Sequence, residues 1–271
     1  MNSAIQVIGL KKSYGNHNVL KGIDFHIAQG ETFALLGVNG SGKTTALECI
    51  EGLRSFDSGR ITVNGKIGIQ LQSSSLPAHI KPMEAVKLFA GWNKSKVDRL
   101  TLEALNIKEI AKTQYAQLST GQKRRLHLVL ALTGDPEIIF LDEPTAGLDV
   151  EARQQLHSQI HKLKAQGKTI MLASHDMAEV EALCDRIAVL DHGSLVFCGT
   201  TAQLTEQTGK KYSIFIRTSQ GNETFETDNI KEALDSLLQK FTEKGIEILD
   251  MKVDRGTLEQ HFIEMTRRKE K

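Results

Sequence analysis

What this sequence lacks narrows it first. Only three cysteines, Cys49, Cys184 and Cys198, occur among 271 residues, and none is in C-x-x-C spacing. An odd, scattered set excludes a disulfide framework and a cysteine zinc centre, and fits a reducing compartment. Charge of one sign is not in excess: 34 Lys and Arg stand against 33 Asp and Glu. No global field draws the chain to nucleic acid or anionic lipid, so any such contact must be local. No apolar run approaches the ~20 residues needed to cross a bilayer. The opening "MNSAIQVIGLKKSYG" has no apolar core followed by a small-residue cleavage site, so no leader is expected. Internal repeats and low-complexity tracts are absent too. The expectation is a soluble, cytosolic chain.

What is present suits a packed core: 40% hydrophobic and 25% charged residues, at a length that suggests two domains or one with an appendage. The first part reads as short strands, "AIQVIGLKKSYG", "VLKGIDFHIAQG" and "GRITVNGK", bounded by Gly and Asn turns. Between them "ETFALLG" is a nearly continuous apolar run, as a buried parallel strand requires. Helical period dominates from about residue 73 to 135, with Pro82 near a helix start. "EIIFLDEP" and "KTIMLASHD" return as strands around an amphipathic helix with Leu156, Ile160 and Leu163 inward, ended by Gly167. Strands alternating with helices imply an α/β sheet over residues 1–204. From 205 to 271 the pattern restarts as a small α+β appendage: hairpin, helix, strand and a last helix in "TLEQHFIEMTRRKEK".

"GVNGSGKTT" matches G-x-x-x-x-G-K-[ST] between a predicted strand and a predicted helix. Gly37, Gly40 and Gly42 let the backbone curl so that successive N–H groups, through Asn39, Ser41 and Thr45, face phosphate oxygens. Lys43 would reach the β- and γ-phosphates and the Thr44 hydroxyl would ligate Mg²⁺. "IIFLDEP" delivers Asp142 and Glu143 at the carboxyl end of a buried strand, where α/β sheets build sites. Asp142 suits Mg²⁺, and Glu143 suits orienting or deprotonating a water. "QLSTGQKRRLHLVLAL" opens a second helix with Ser119, Gly121 and Gln122 at its start and Lys123, Arg124 and Arg125 in its first turns, a second anion site.

The ordered set "GVNGSGKTT", "LSTGQ", "IIFLDEP", "AGLD" and "SHD" resembles the nucleotide-binding subunit of ATP-binding cassette (ABC) transporters, over about residues 3–200. The resemblance implies a RecA-like P-loop NTPase core with an antiparallel β-subdomain and a helical subdomain. It implies ATP and Mg²⁺ as cofactors and ATP hydrolysis coupled to transport. It also implies a homodimer or heterodimer of cassettes in which Ser119 and Gly121 of one chain touch the γ-phosphate on the other's Lys43, and a separate permease at the cytoplasmic face of the membrane. His175 matches the histidine that steadies Glu143, and Asp149 the residue that crosses the dimer seam, although an N-cap serves as well. Tyr14 resembles the aromatic that stacks on adenine; a turn tyrosine is the alternative. The Mg²⁺-sensing glutamine is Gln72 or Gln70, with Gln72 at the strand end fitting better. Thr120 departs from the usual glycine of the signature. "RGTLEQHFIEMT" looks like the closing pattern of drug- and lipid-type exporters, which implies export. The rival reading is a soluble cassette ATPase acting on ribosomes or DNA. No nucleic acid partner is expected. His157 and His161, four apart without a third ligand, read as a solvated helix flank, and "RRKEK" as a frayed end.

Overall fold

The structure is a computed structural model that describes residues 3–70, 75–95, 99–208 and 212–255. The chain divides into two compact units, Met1–Cys198 and Gly199–Lys271. The first opens with β1 (Ser3–Tyr14), β2 (His17–Ala28) and β3 (Thr32–Leu36), followed by α1 (Lys43–Ile50), β4 (Ser58–Val63) and β5 (Ile67–Gln70). β1 pairs antiparallel with both β2 and β4, giving a three-stranded sheet in the order β2-β1-β4.

The helical stretch holds α2 (Pro82–Trp92), α3 (Arg99–Ala104), α4 (Ile107–Ile110) and α5 (Thr120–Leu132). Pro82 is the first residue of α2, where its missing N–H costs nothing. Then β6 (Ile138–Asp142), α6 (Val150–Ala165), β7 (Thr169–Ser174), α7 (Met177–Leu183), β8 (Arg186–Asp191) and β9 (Ser194–Gly199) complete a six-stranded sheet, β5-β6-β7-β3-β8-β9. Pairs β5/β6, β6/β7, β3/β7 and β3/β8 are all parallel. β3, β6 and β7 are buried at every position, as strands covered on both faces must be. One core joins Phe33, Phe140 and Met171 of this sheet to Leu47 and Ile50 of α1 and to Ile5 and Ile23 of the antiparallel sheet. Each such side chain contributes about 1.5–3 kcal/mol by leaving water. That packing fixes where the strand ends and the start of α1 meet. A mostly parallel sheet with a glycine-rich loop between β3 and α1 is the RecA-like P-loop core the sequence implies.

The second unit holds α8 (Thr201–Thr208), β10 (Tyr212–Thr218), β11 (Gly221–Thr227), α9 (Ile230–Glu243) and β12 (Ile248–Arg255). Its sheet runs β11-β10-β12, all antiparallel, with Ile214 and Ile216 packed on Leu237 and Phe241 of α9. The helix expected in the last sixteen residues lies outside the described residues.

Candidate functional site

Gly37 leaves the buried end of β3 where nothing larger fits: a Cβ there would stand 2.4 Å from both Leu190 O and Ser41 Oγ. Asn39 and Gly40 form the exposed crest of the loop, and Ser41 is buried with its hydroxyl unpartnered. Gly42 takes φ 105, open to glycine at no steric cost, and hands the chain to α1. α1 has no side-chain cap and no acidic residue in its first turn, so its leading N–H groups are left for an anion. Lys43 is 6% exposed, and its ammonium donates to Gly37 O at 2.7 Å and Val38 O at 3.1 Å. Burial lowers its pKa, with the charges of Glu143 and Asp142 opposing. Thr45 follows, half-buried, on α1.

β6 brings Asp142 beside this loop. The Thr44 hydroxyl bonds its carboxylate, while Oδ1 is buried and has no partner. Burial first, then the neighbouring Glu143 and Glu48, push its pKa up to about 6. Glu143 leaves the strand in the left-handed region, φ 45, with its N–H on Ala173 O at 2.9 Å. Its Oε1 lies 3.0 Å from Nδ1 of His175, which follows β7. Arg124 of α5 lies within electrostatic reach of Asp142 and Glu143; burial, the larger effect, lowers its pKa.

The start of α5 differs from the open anion site expected from its sequence. Ser119 Oγ accepts the Gln122 N–H at 3.2 Å, and Gln122 Oε1 accepts the Ser119 N–H at 2.9 Å. This reciprocal capping box satisfies two of the orphan donors internally. Lys123 sits over the Tyr115 ring at 5.1 Å, and Arg124 is half-buried within electrostatic reach of Asp142 and Glu143. Thr120 and Gly121 hold ordinary helical backbone, which explains why a Cβ is tolerated at 120. Asp149 caps α6, its Oδ1 accepting the Ala152 N–H at 2.8 Å.

Comparison with known proteins decides the family. Residues 20–146 match the model described as ABC transporter. The linearmycin resistance ATP-binding protein LnrL of Bacillus subtilis (strain 168) is 33% identical, over 97% of this chain and 98% of that protein. The chain belongs to the ABC transporter ATP-binding family. The daunorubicin resistance ATP-binding protein DrrA3 of Streptomyces coeruleorubidus is 30% identical over 98% of this chain and 96% of its own. The Nod factor export ATP-binding protein I of Rhizobium sp. (strain N33) is 37% identical over 75% and 73%. The solved ATP-binding subunit of an ABC transporter superposes with TM-score 0.68 at 26% identity, covering 76% of this chain and 93% of that one. As an ABC ATP-binding protein, the chain binds and hydrolyses ATP for a transporter, not for ribosomes or DNA.

The remaining positions of this ABC ATPase are mixed. Tyr14 ends β1 half-exposed, with Lys12 at 5.3 Å and Arg54 at 5.5 Å from its ring and Arg54 also bonded to its hydroxyl. Gln70 ends β5 with its amide fully buried and unpartnered, and Gln72 lies outside the described residues. His157 is not on a solvated flank: its side chain is 20% exposed and its Nε2 lies 4.0 Å from buried Glu179, while His161 is exposed. Sequence reading missed two buried carboxyls. Glu51, seven residues after Thr44 and three after Glu48, shares their face of α1. Burial first, then Asp142 and Glu48, push its pKa up to about 8. Glu179 stands three residues after the Asp176 N-cap, a spacing that reads as a capping box, yet its carboxylate turns inward to Ser174.

Proposed function

We propose that the chain is the ATPase subunit of an exporter, working as a dimer of two copies that closes on two ATP molecules and drives a separate permease at the cytoplasmic face of a membrane. The observation that carries this reading is the pair of helix starts: α1 uncapped and backed by Lys43, α5 exposed and closed only by its own Ser119–Gln122 box. A phosphate bound at Lys43 needs donors on its far side. Ser119 and the Gly121 N–H of the second copy supply them when the box opens. Val150, 75% exposed beside Asp149, fits a surface that meets another chain.

The donor set fits Mg²⁺. Asp142 presents a buried, unpartnered oxygen next to the Thr44 hydroxyl, hard ligands of the kind this ion takes; Gln72 completes the set in this reading. When bound, the ion neutralises charge on the β- and γ-phosphates. Glu143 takes the proton of the attacking water while the bond from the γ-phosphorus to the ADP oxygen breaks. His175 donates from Nδ1 to Glu143 and so fixes the direction of that carboxylate. Lys43 exchanges its two loop carbonyls for phosphate oxygens. Tyr14 stacks on adenine, Lys12 and Arg54 holding its ring in place.

Hydrolysis removes the phosphate that bridges the chains and the dimer reopens. Exposed Leu53 and Phe56 after α1, with Leu88 and Trp92 on α2, offer apolar contacts to cytoplasmic helices of the permease. Among the described residues no helix is long and apolar enough to cross a membrane. Export rests on the names of the linearmycin, daunorubicin and Nod factor relatives. The deciding experiment is the size of Glu143→Gln protein with and without ATP. A monomer without nucleotide and a dimer with it are expected; a monomer in both overturns the reading.

A further inference from the structure

Glu179 is 2% exposed, more deeply buried than Asp142. Its Oε2 accepts the Ser174 hydroxyl at 2.6 Å, the Thr145 hydroxyl interacts with the same carboxylate, and Oε1 has no hydrogen-bond partner among the described residues. Ser174 has one hydroxyl proton, given to Glu179, so its oxygen is free to accept the Asp176 N–H at 3.0 Å. His175 is thereby held between two anchored neighbours. Thr145 follows Glu143 by two residues, and the Glu143 N–H is itself tied to β7 through Ala173 O. One carboxylate therefore joins the turn that carries His175 to the loop that carries Glu143. α6 closes the cluster: Arg153 pairs with Asp176 at 2.9 Å, and His157 Nε2 stands 4.0 Å from Glu179 Oε1.

We propose that Glu179 is a positioning residue for ATP hydrolysis, which acts through the Ser174 and Thr145 hydroxyls to aim His175 and Glu143 at one another. It touches neither nucleotide nor water. A carboxylate holds hydroxyl donors more strongly than a neutral amide oxygen does. In Glu179→Gln the position of the unpartnered Oε1 can also become an NH₂ beside His157. The inference rests on the hydrolytic roles proposed for Glu143 and His175.

Steady-state kcat and KM for ATP are measured on the full chain bearing Glu179→Gln, His175→Ala, or both. Glu179→Gln is expected to lower kcat about tenfold or more, to leave KM within about twofold, and to add less than about twofold on top of His175→Ala, because both changes undo one alignment. Multiplying losses in the double variant, or a KM that rises in step with the fall in kcat, would make Glu179 a general structural residue and overturn the proposal. A loss in His175→Ala beside an unaffected Glu179→Gln overturns this inference alone. Full turnover in His175→Ala overturns the underlying role of His175, and this inference with it. Should Glu179→Gln not fold, Thr145→Val leaves the carboxylate in place and removes one of its donors. The same selective kcat loss supports the proposal, and an unchanged kcat overturns it.

Discussion

The starts of α1 and α5 are two answers to one electrostatic problem. Both expose the positive end of a helix dipole with several unpaired N–H groups. α1 leaves them open: its preceding residue is a left-handed glycine, no side chain caps it, and a buried lysine stands beside it. α5 closes them with a serine and a glutamine of its own, through bonds of 2.9 and 3.2 Å. The difference teaches which anion each expects. An open, lysine-backed start is built for a phosphate held within the chain. A self-capped start keeps itself satisfied until a phosphate arrives from elsewhere, and the cap, worth about 1 kcal/mol, is easily exchanged for a charged ligand.

Breaking the first start should have the largest effect. Lys43→Ala is expected to weaken ATP binding by about a hundredfold or more, seen by calorimetric titration, and to bring turnover to background. The second start should behave otherwise: Ser119→Arg leaves ATP affinity of the single chain within about twofold yet removes turnover. Mixing the two inactive variants then decides the trans arrangement. A mixed dimer carries one site with both defects and one intact site, so random pairing restores up to about a quarter of wild-type turnover. No recovery on mixing would mean that both helix starts of one chain serve the same nucleotide.

A smaller contrast lies in the ionisable groups the two helices bury. Glu51 ends α1 with a pKa of about 8, and His127 sits within α5 with a pKa of about 4, lowered by burial and then by Arg124 and Lys123. The signs are opposite. Glu51 is protonated in the fold while the unfolded chain has already lost its proton above about 4.5, so stability falls as pH rises from there towards 8. His127 stays neutral in the fold while the unfolded chain gains a proton below about 6.5, so stability falls as pH drops from there towards 4. Glu51→Gln should raise unfolding free energy by about 3 kcal/mol at pH 8 and by little at pH 5, measured by denaturant titration at both. His127→Gln should lessen the acid-side loss alone.

The smallest effect concerns the signature itself. Thr120 is the first residue of α5 with ordinary backbone. Thr120→Gly should change turnover by less than about threefold and lower stability by no more than about 1 kcal/mol. A large gain in turnover would show that its methyl holds the start of α5 away from the second copy.

The parts of the site that were legible in the sequence are those whose chemistry runs along the chain. The phosphate loop, the strand ending in Asp142 and Glu143, and the helix opening at Ser119 each need consecutive residues of fixed type, and each stands where its motif predicts. What stayed hidden depends on which way a side chain turns across the fold. Arg124 reads as one of three cations guarding a helix start, yet it is half-buried and within electrostatic reach of Asp142 and Glu143. His157 reads as a wet helix flank until α7 packs beside it. Glu51 shows the right spacing from Thr44, but helical periodicity alone does not say that this face is sealed from water. Gln70 and Gln72 are two apart, a spacing that alternation along a strand could not separate; the fold shows Gln70 fully buried.

Glu143 is set in a backbone conformation that residues bearing a Cβ enter at a cost of about 1–2 kcal/mol. That torsion sets where its side chain leaves the main chain, and the bond to His175 then holds the carboxylate. A glycine at that position would relieve the torsion and abolish the base together, so the inert protein should be the sturdier one. Selection for turnover has kept this chain slightly less stable than its own architecture permits.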